Sequence, residues 1–227
     1  MWTVFKKELK SYFLSPIGYV AIGLFLAIFS LFFYLTTINV GEVDLGNLYF
    51  NTARYGLLMI VPIITMRMFA EERKNGTEQL LLTSPRSITG IVLGKFFAAV
   101  ALIAITLCIS LMYFLILSFF GNPNIVTVLV SALGFLLVGM AAISLGMFAS
   151  SLTENQVIAA IITVVCLIIP WFLPNINEKF SLIDLMSNYQ KFPAGLISVK
   201  EVVALLSFAV MFVLITIIIM QRRKLVK

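Results

Sequence analysis

The stretch IGYVAIGLFLAIFSLFFYLTTI, residues 17–38, contains no charged side chain. At 1.5 Å per residue, a helix of this length reaches about 33 Å, which is enough to cross the hydrocarbon core of a bilayer. A cleaved signal peptide has a shorter apolar core followed by a small-x-small cleavage site, and this pattern does not occur here. The stretch is therefore predicted to be an uncleaved transmembrane helix.

Five further apolar runs follow this stretch along the chain. Hydrophobic residues make up 61% of the sequence and charged residues 11%, whereas soluble domains have about 45–50% and about 25%. The sequence therefore predicts an all-α membrane protein with six transmembrane helices and no separate soluble domain. The further predicted spans are 49–70, 91–120, 125–150, 157–173 and 202–220.

The second predicted span contains a proline and two arginines. Pro62 lies in its interior and is expected to kink it. Arg54 and Arg67 lie near its two ends, and we expect them to extend toward opposite headgroup layers. This interpretation makes both arginines anchors at the membrane surface.

Several residue types that enzymes and carriers need are missing. There is no histidine, and no Gly-x-x-x-x-Gly-Lys-Ser/Thr loop that could hold ATP phosphates. The centres of all the runs but the second lack ionisable residues, which argues against an ion-coupled carrier. The cysteines at 108 and 166 are expected to be small buried hydrophobes. The chain is therefore predicted to have no catalytic residues and no metal site.

The N-terminal residues 1–14 have an amphipathic helical pattern. Aromatic residues recur at helical spacing on one face, and lysines take the other. Such a helix lies in the headgroup plane of a membrane, although a frayed basic terminus is the alternative. The residues expected at the membrane interface are Trp2, Phe5, Lys6, Lys7, Lys10 and Tyr12.

The distribution of basic residues predicts the orientation. The predicted spans place most of the 16 Lys and Arg residues on the side of the two termini, and these define the cytoplasmic side. The net charge of +6 is scattered over the ends of the spans and forms no basic stripe, so we expect membrane lipids as partners and no nucleic acid.

The sequence FAEERKNGTEQLLLTSPR, residues 69–86, connects the second and third spans on this side. Asn75 and Gly76 favour a helix end and a turn, and Thr77 can cap a new helix that Ser84 and Pro85 end. The leucines at 80–82 cannot all face the helix bundle, because successive helical residues are about 100° apart. The short helix 77–83 is predicted either to lie flat on the bilayer or to dock into a groove of a soluble partner.

Two other segments have informative patterns. The fourth span carries small residues that would let two helices approach closely, and packing within the chain is favoured over a dimer seam. The segment 174–201 mixes apolar and polar residues, which fits a pair of short re-entrant helices or an ordinary surface loop. The predicted packing residues are Gly139, Ala142, Gly146 and Ser150.

The block EERKNGTEQLLLTSP, residues 71–85, resembles the E-x-x-x-G-T-x-x-x-L-L-x-x-P signature of ABC-2-type permeases. Within them it is most similar to the gliding-motility-associated branch, with FKKELKSYFLSPIGY at 5–19 and GMFASSLTENQ at 146–156. The resemblance covers nearly the whole chain and makes 15–227 a single six-span domain. It implies a half-transporter in the bacterial inner membrane, paired with a second permease chain, identical or different, and two copies of a separate ABC ATPase.

This resemblance makes 77–83 the coupling helix that sits in a cleft of the ATPase, and 152–156 a smaller contact. Salt bridges of residues 71–73, either across the ATPase interface or to the N-terminal helix, would brace the base of that helix. ATP and Mg would bind only to the partner, so this chain is expected to be non-catalytic. The residues implied in ATPase coupling are Glu71, Glu72, Arg73, Gly76, Thr77, Glu78, Leu80, Leu81, Leu82, Pro85, Thr153 and Glu154.

The resulting hypothesis is an exporting permease whose motion is driven by the partner ATPase. Spans rich in Phe, Leu and Met favour an amphipathic or lipid-linked substrate over a small ion. The alternative is a membrane anchor that transmits force in a cell-envelope or motility complex. A lipid-modifying enzyme is disfavoured because the chain lacks histidine and a clustered acid pair.

Overall fold

The computed structural model describes residues 1–39, 41, 45–79, 87–172 and 184–226, and every regular element among them is helical. Helix α1 spans Trp2–Leu14 and α2 spans Pro16–Phe33. Ser15 between them is extended, with φ −99° and ψ 151°, and Pro16 opens α2, where its missing N–H costs nothing. A π-helical turn, Tyr34–Ile38, continues α2.

The second apolar segment is a chain of shorter helices. It consists of α3 (Leu45–Asn51), a π-helical turn (Thr52–Gly56), α4 (Leu57–Thr65) and α5 (Ala70–Lys74). Pro62, which was expected to kink this segment, lies inside α4, and α4 continues past it to Thr65.

The break in the second segment lies at residues 66–69. The hydroxyl of Ser150 accepts hydrogen bonds from the backbone N–H groups of Phe69 (3.1 Å) and Ala70 (3.2 Å), and donates one to the carbonyl of Met66 (3.4 Å). A side chain inserted into the backbone ladder of a helix in this way is a known cause of helix interruption.

The remaining helices begin and end where local capping allows. Ser87 caps α6 (Ile88–Ser118) by accepting from the N–H of Gly90, and Asn124 caps α7 (Ile125–Leu152) by accepting from the N–H of Val126. They are followed by α8 (Gln156–Phe172), α9 (Leu185–Tyr189) and α10 (Val199–Val226).

Among the residues that the structure describes, five helices are long and apolar enough to cross a membrane. They are Pro16–Ile38, Leu45–Lys74, Ile88–Ser118, Ile125–Leu152 and Val199–Lys224. The predicted span at 157–173 corresponds to α8, which has 17 residues and a length of about 25 Å. The structure thus gives five candidate spans and one shorter apolar helix.

Helix α7 lies at the centre and packs against α10, α8, α6 and α4. The predicted packing residues lie on the buried part of α7: Ala142 is 1% exposed, and a Cβ on Gly139 would lie 3.3 Å from Ile103 of α6. A Cβ on Gly146 would collide with the side chain of Thr65. These small residues let α4 and α6 approach the backbone of α7 closely.

The segment that contains α9 folds against the end of α7 that is far from α1. The hydroxyl of Tyr189 donates to the carbonyl of Ser131 at 3.0 Å, and Phe192 lies where a Cβ on Gly134 would be. Burial raises the pKa of Tyr189 well above its usual value, so its hydroxyl stays protonated and acts as a donor.

The two cysteines lie differently from the expectation of small buried residues. Cys108 is exposed on α6, so that expectation is wrong for it, and Cys166 on α8 is half-buried. Helix α6 is apolar nearly all round, which is why the sequence pattern did not separate its inner and outer faces.

Candidate functional site

Helix α1 packs directly onto the first turns of α6. A Cβ on Gly94 would lie 2.9 Å from the side chain of Val4, and one on Gly90 would lie 3.4 Å from the nitrogen of Met1. The two glycines therefore make room for the N-terminal end of α1. This contact brings the polar residues on one face of α1 close to the end of the second span.

A buried ion cluster forms where α1, α5 and α6 meet. The Nζ of Lys95 donates to a carboxylate oxygen of Glu72 at 2.8 Å and to one of Glu8 at 3.1 Å. The side chain of Lys95 is 2% exposed, and both carboxylates are 17% exposed. One ammonium group thus links α5 and α6 to α1, which lies far from them in sequence.

Tyr12 lies on the same face of α1 as Glu8. Its hydroxyl donates to the carbonyl of Ile64, at 3.5 Å, and burial raises the pKa of Tyr12. A cleft of about 620 Å³ lies beside this contact, between α1 and the end of the second span. Its polar lining includes Lys7, Glu8, Ser11, Arg67, Glu71 and Asn75.

A second ion cluster lies at the same end of the bundle. The carboxylate of Glu78, 5% exposed, lies 3.7 Å from the Nε of Arg73 and 3.2 Å from an Nη of Arg223. Arg73 also contacts Glu154 at 3.1 Å, and Arg223 donates to the carbonyl of Ser151. The cluster joins residues 73–78 to the 151–154 connection and to the end of α10.

The predicted coupling residues at 71–78 are placed as follows. Glu71 accepts from Arg67 at 2.6 Å. Gly76 has φ +72°, a conformation that favours glycine, and the hydroxyl of Thr77 donates to the carbonyl of Glu72 at 3.1 Å. Glu78 and Gln79 are helical.

The other coupling residues divide into two groups. Leu80, Leu81, Leu82 and Pro85 lie outside the described residues. The hydroxyl of Thr153 accepts from the N–H of Asn155 at 3.1 Å, in the short connection between α7 and α8 that also carries Glu154. That connection therefore lies beside residues 73–78, as the ion cluster requires.

The residues expected at the membrane interface lie on the remaining surface of α1. Trp2 is 63% exposed and stacks on Phe5, with ring centroids 5.1 Å apart, and the ammonium of Lys6 lies 5.2 Å from the Trp2 ring. Lys7 and Lys10 are exposed, whereas Tyr12 is turned toward Ile64.

Sequence reasoning missed the roles of Lys95, Glu8 and Arg223. Lys95 had a detectable signal, because a lone lysine in a long apolar run needs a carboxylate partner if it is buried. Arg223 has neighbours of the same charge at 222 and 224, so nothing in the sequence distinguishes it.

The chemistry of these clusters is that of structural ion pairs. No group of three or more His, Cys, Asp or Glu side chains in the described part of the chain could hold a metal ion. Together, the two clusters connect residues 70–79 to α1 near one end of the sequence and to α10 near the other. Such an arrangement can pass a displacement of 70–79 to the rest of the bundle.

One comparison with known families gives a match over most of the chain. The family described as "ABC-2 family transporter protein" matches residues 42–220. The matched part begins at the second span and includes Glu72, Lys95 and the 151–154 connection, and it ends within α10, before Arg223. No curated protein matches the chain.

Proposed function

The chain belongs to the ABC-2 transporter family, and from this premise we propose that it is the membrane-spanning permease subunit of an ABC transporter. A separate ATPase subunit, present in two copies, supplies the energy, and a second permease chain completes the transporter. ATP and Mg bind to the ATPase. The permease itself carries out no chemical step.

The proposed coupling route starts at residues 70–83 and 152–156. The observation that carries it is the pair of ion clusters, in which Glu72 is held by Lys95, and Glu78 by Arg73 and Arg223. Since these contacts are largely buried, a movement imposed on 70–79 would be opposed by α1, α6 and α10 together. We propose that the ATPase docks on the predicted helix 77–83 and moves it.

The side of the membrane follows from the basic residues. Both termini, α5 and the α7–α8 connection are proposed to face the cytoplasm of a bacterial cell, with α1 at the membrane surface. The exposed Trp2 and the lysines at 6, 7 and 10 support a membrane contact of α1, because aromatic rings favour the interface and lysines favour anionic lipid.

We propose that α8 is the sixth span and that 184–195 re-enters the outer leaflet. Tyr189 contacts Ser131, and Phe192 contacts Gly134. Both partners on α7 lie about 9–14 Å from the first residue of that helix, so the segment reaches below the proposed membrane surface. The direction is proposed as export and the substrate as amphipathic or lipid-linked. The similarity to the gliding-motility branch remains a sequence-based proposal.

The test is co-purification of the chain with its candidate ATPase. Replacing Leu80 and Leu81 by Asp should abolish the complex and the stimulation of ATP hydrolysis, because two buried charges are costly at an apolar interface. Leu196→Asp, at an exposed leucine (61%) on the opposite side, is the matched control and should leave both intact. An unchanged complex with the double variant contradicts docking at this helix.

A second measurement separates the transporter from the force-transmitting anchor. The intact complex in liposomes should move a lipid-linked substrate in an ATP-dependent manner. ATP hydrolysis that depends on the permease, without any movement of lipids or amphiphiles, would favour the anchor.

A further inference from the structure

Arg54 lies in the π-helical turn of the second span, at the end of the bundle that is far from the ion clusters. At 1.5 Å per residue the segment from Arg54 to Glu72 spans at most about 27 Å, because the π-helical turn and the break at 66–69 interrupt the regular helix. This is close to the thickness of the hydrocarbon core of a bilayer, about 30 Å. If Glu72 lies at one headgroup layer, Arg54 lies at the opposite one.

The guanidinium group of Arg54 packs on aromatic rings. Its Cζ lies 5.1 Å from the ring centroid of Trp171, near the end of α8, and 5.8 Å from that of Tyr55. An arginine that simply extended to water would leave its Nε solvated. Here the Nε atom is buried and has no hydrogen-bond partner.

No described carboxylate neutralises Arg54. On this side of the bundle, Asp184 accepts from the N–H groups of Met186 and Ser187, and Glu201 pairs with Lys191 at 2.6 Å. Arg54 is therefore a half-buried cation with an unused Nε donor. Desolvation strengthens its attraction for an anion.

The surroundings of Arg54 are suited to an amphiphile. A small crevice beside it is lined mainly by apolar side chains, including Leu57, Leu167 and Met186. The adjoining helices expose Met59 (56%) and Ile169 (50%). Helix α8 is also short, so the headgroup layer can reach Trp171 at its end.

We infer that Arg54 and Trp171 form a site for the headgroup of an anionic phospholipid, whose phosphate carries no attached cation such as choline, with the acyl chains against the apolar faces of α4 and α8. Arginine binds phosphate with a planar pair of N–H donors, and a tryptophan ring is favoured at the membrane interface. The stack on Trp171 orients the guanidinium plane. The site does not depend on the proposed ATPase partner.

The test uses Trp171 as its own reporter. The chain contains two tryptophans, so a Trp2→Phe background leaves Trp171 as the only one. Its fluorescence is measured in vesicles in which either phosphatidylglycerol or phosphatidylcholine carries bromine, which quenches nearby tryptophan. We expect the anionic lipid to be enriched about five-fold over phosphatidylcholine beside Trp171. This factor corresponds to the energy of a single charge contact near a membrane surface.

Three variants decide the assignment. Arg54→Gln should abolish the preference, and Arg54→Lys should retain part of it because it keeps the charge and loses the planar fork. Lys200→Gln removes an exposed charge on the same side and should change nothing. Circular dichroism checks that each variant is folded. If Arg54→Gln does not fold, the lipid preference of Arg54→Lys is compared with that of the chain that keeps Arg54.

The source of the phosphate is tested by competition. A preference that persists in excess inorganic phosphate assigns the site to the lipid headgroup. Loss of the preference shows that the free ion occupies the site and overturns the lipid assignment. Equal quenching by the two brominated lipids in the chain with Arg54, or an undiminished preference in folded Arg54→Gln, overturns the site itself.

Discussion

The Nζ of Lys95 lies 2.8 Å from a carboxylate oxygen of Glu72, and the lysine side chain is only 2% exposed. A second carboxylate, that of Glu8, completes the cluster at 3.1 Å. Since α6 contributes the only cation of this cluster and α1 and α5 one carboxylate each, loss of the lysine leaves two largely buried carboxylates without a partner.

Lys95→Met should destabilise the protein by about 3–5 kcal/mol, because it leaves two largely buried carboxylates without a cation. Thermal unfolding in detergent micelles measures the loss. Adding Glu8→Gln and Glu72→Gln to Lys95→Met should recover much of it. Lys10→Met, at an exposed position of α1, serves as the control, and an equal loss there would contradict the prediction.

Glu78 and Glu154 both contact Arg73 but differ in exposure, with side chains 6% and 65% exposed. Glu78→Gln should cost about 2–4 kcal/mol, because the largely buried Arg223 also loses its partner. Glu154→Gln should cost less than about 1 kcal/mol, as exposed pairs do. Unfolding in micelles measures both, and equal effects would show that burial of the carboxylate is unimportant.

Gly146→Ala should destabilise the contact between α7 and α4 by about 1–3 kcal/mol, because the new Cβ collides with Thr65. Gly23 provides the matched control, since a Cβ there would meet nothing within 4 Å. Gly23→Ala should be neutral or slightly stabilising, because alanine favours a helix. The two unfolding temperatures in one detergent give the comparison, and the prediction fails if they fall equally.

Gly134→Ala should loosen the segment 184–195, because its Cβ needs the space that Phe192 fills. Hydrogen exchange of the amides around Tyr189 should become faster. Phe192→Ala, which removes the ring itself, should accelerate exchange in the same way, because it deletes the buried contact with Gly134. Exchange rates that are unchanged in both variants would show that Phe192 does not hold the segment in place.

Helix existence was predictable from the apolar runs, and the ends of α2, α7 and α8 lie within a few residues of the predicted ends. The break at 66–69 was not predictable, because Ser150, which produces it, is far away in sequence. Pro62 gave the stronger local signal, yet α4 tolerates it. The shape of a transmembrane segment depends on contacts with neighbouring helices, and the hydrophobic pattern of its own sequence does not contain them.

The ion clusters were only half predictable. The acidic and basic residues at 71–78 stand out because they follow an apolar run, and salt bridges to α1 were one of the expectations for them. Their partners Lys95 and Arg223 come from other helices. Which charges pair over such a distance in sequence can be seen only when the fold is known. Arg54 was expected to extend to the headgroups, and its aromatic stack became visible only with α8 in place.

The Ser150 hydroxyl takes the place of the backbone carbonyls that Phe69 and Ala70 would use in an unbroken helix. It therefore links the start of α5 to α7 at the backbone break, beside the hydrogen bond that Arg73 donates to the carbonyl of Leu152. Because this oxygen bonds to N–H groups at the start of α5, a displacement of α5 would be opposed by α7 through a backbone contact as well as by α1 and α6 through Lys95.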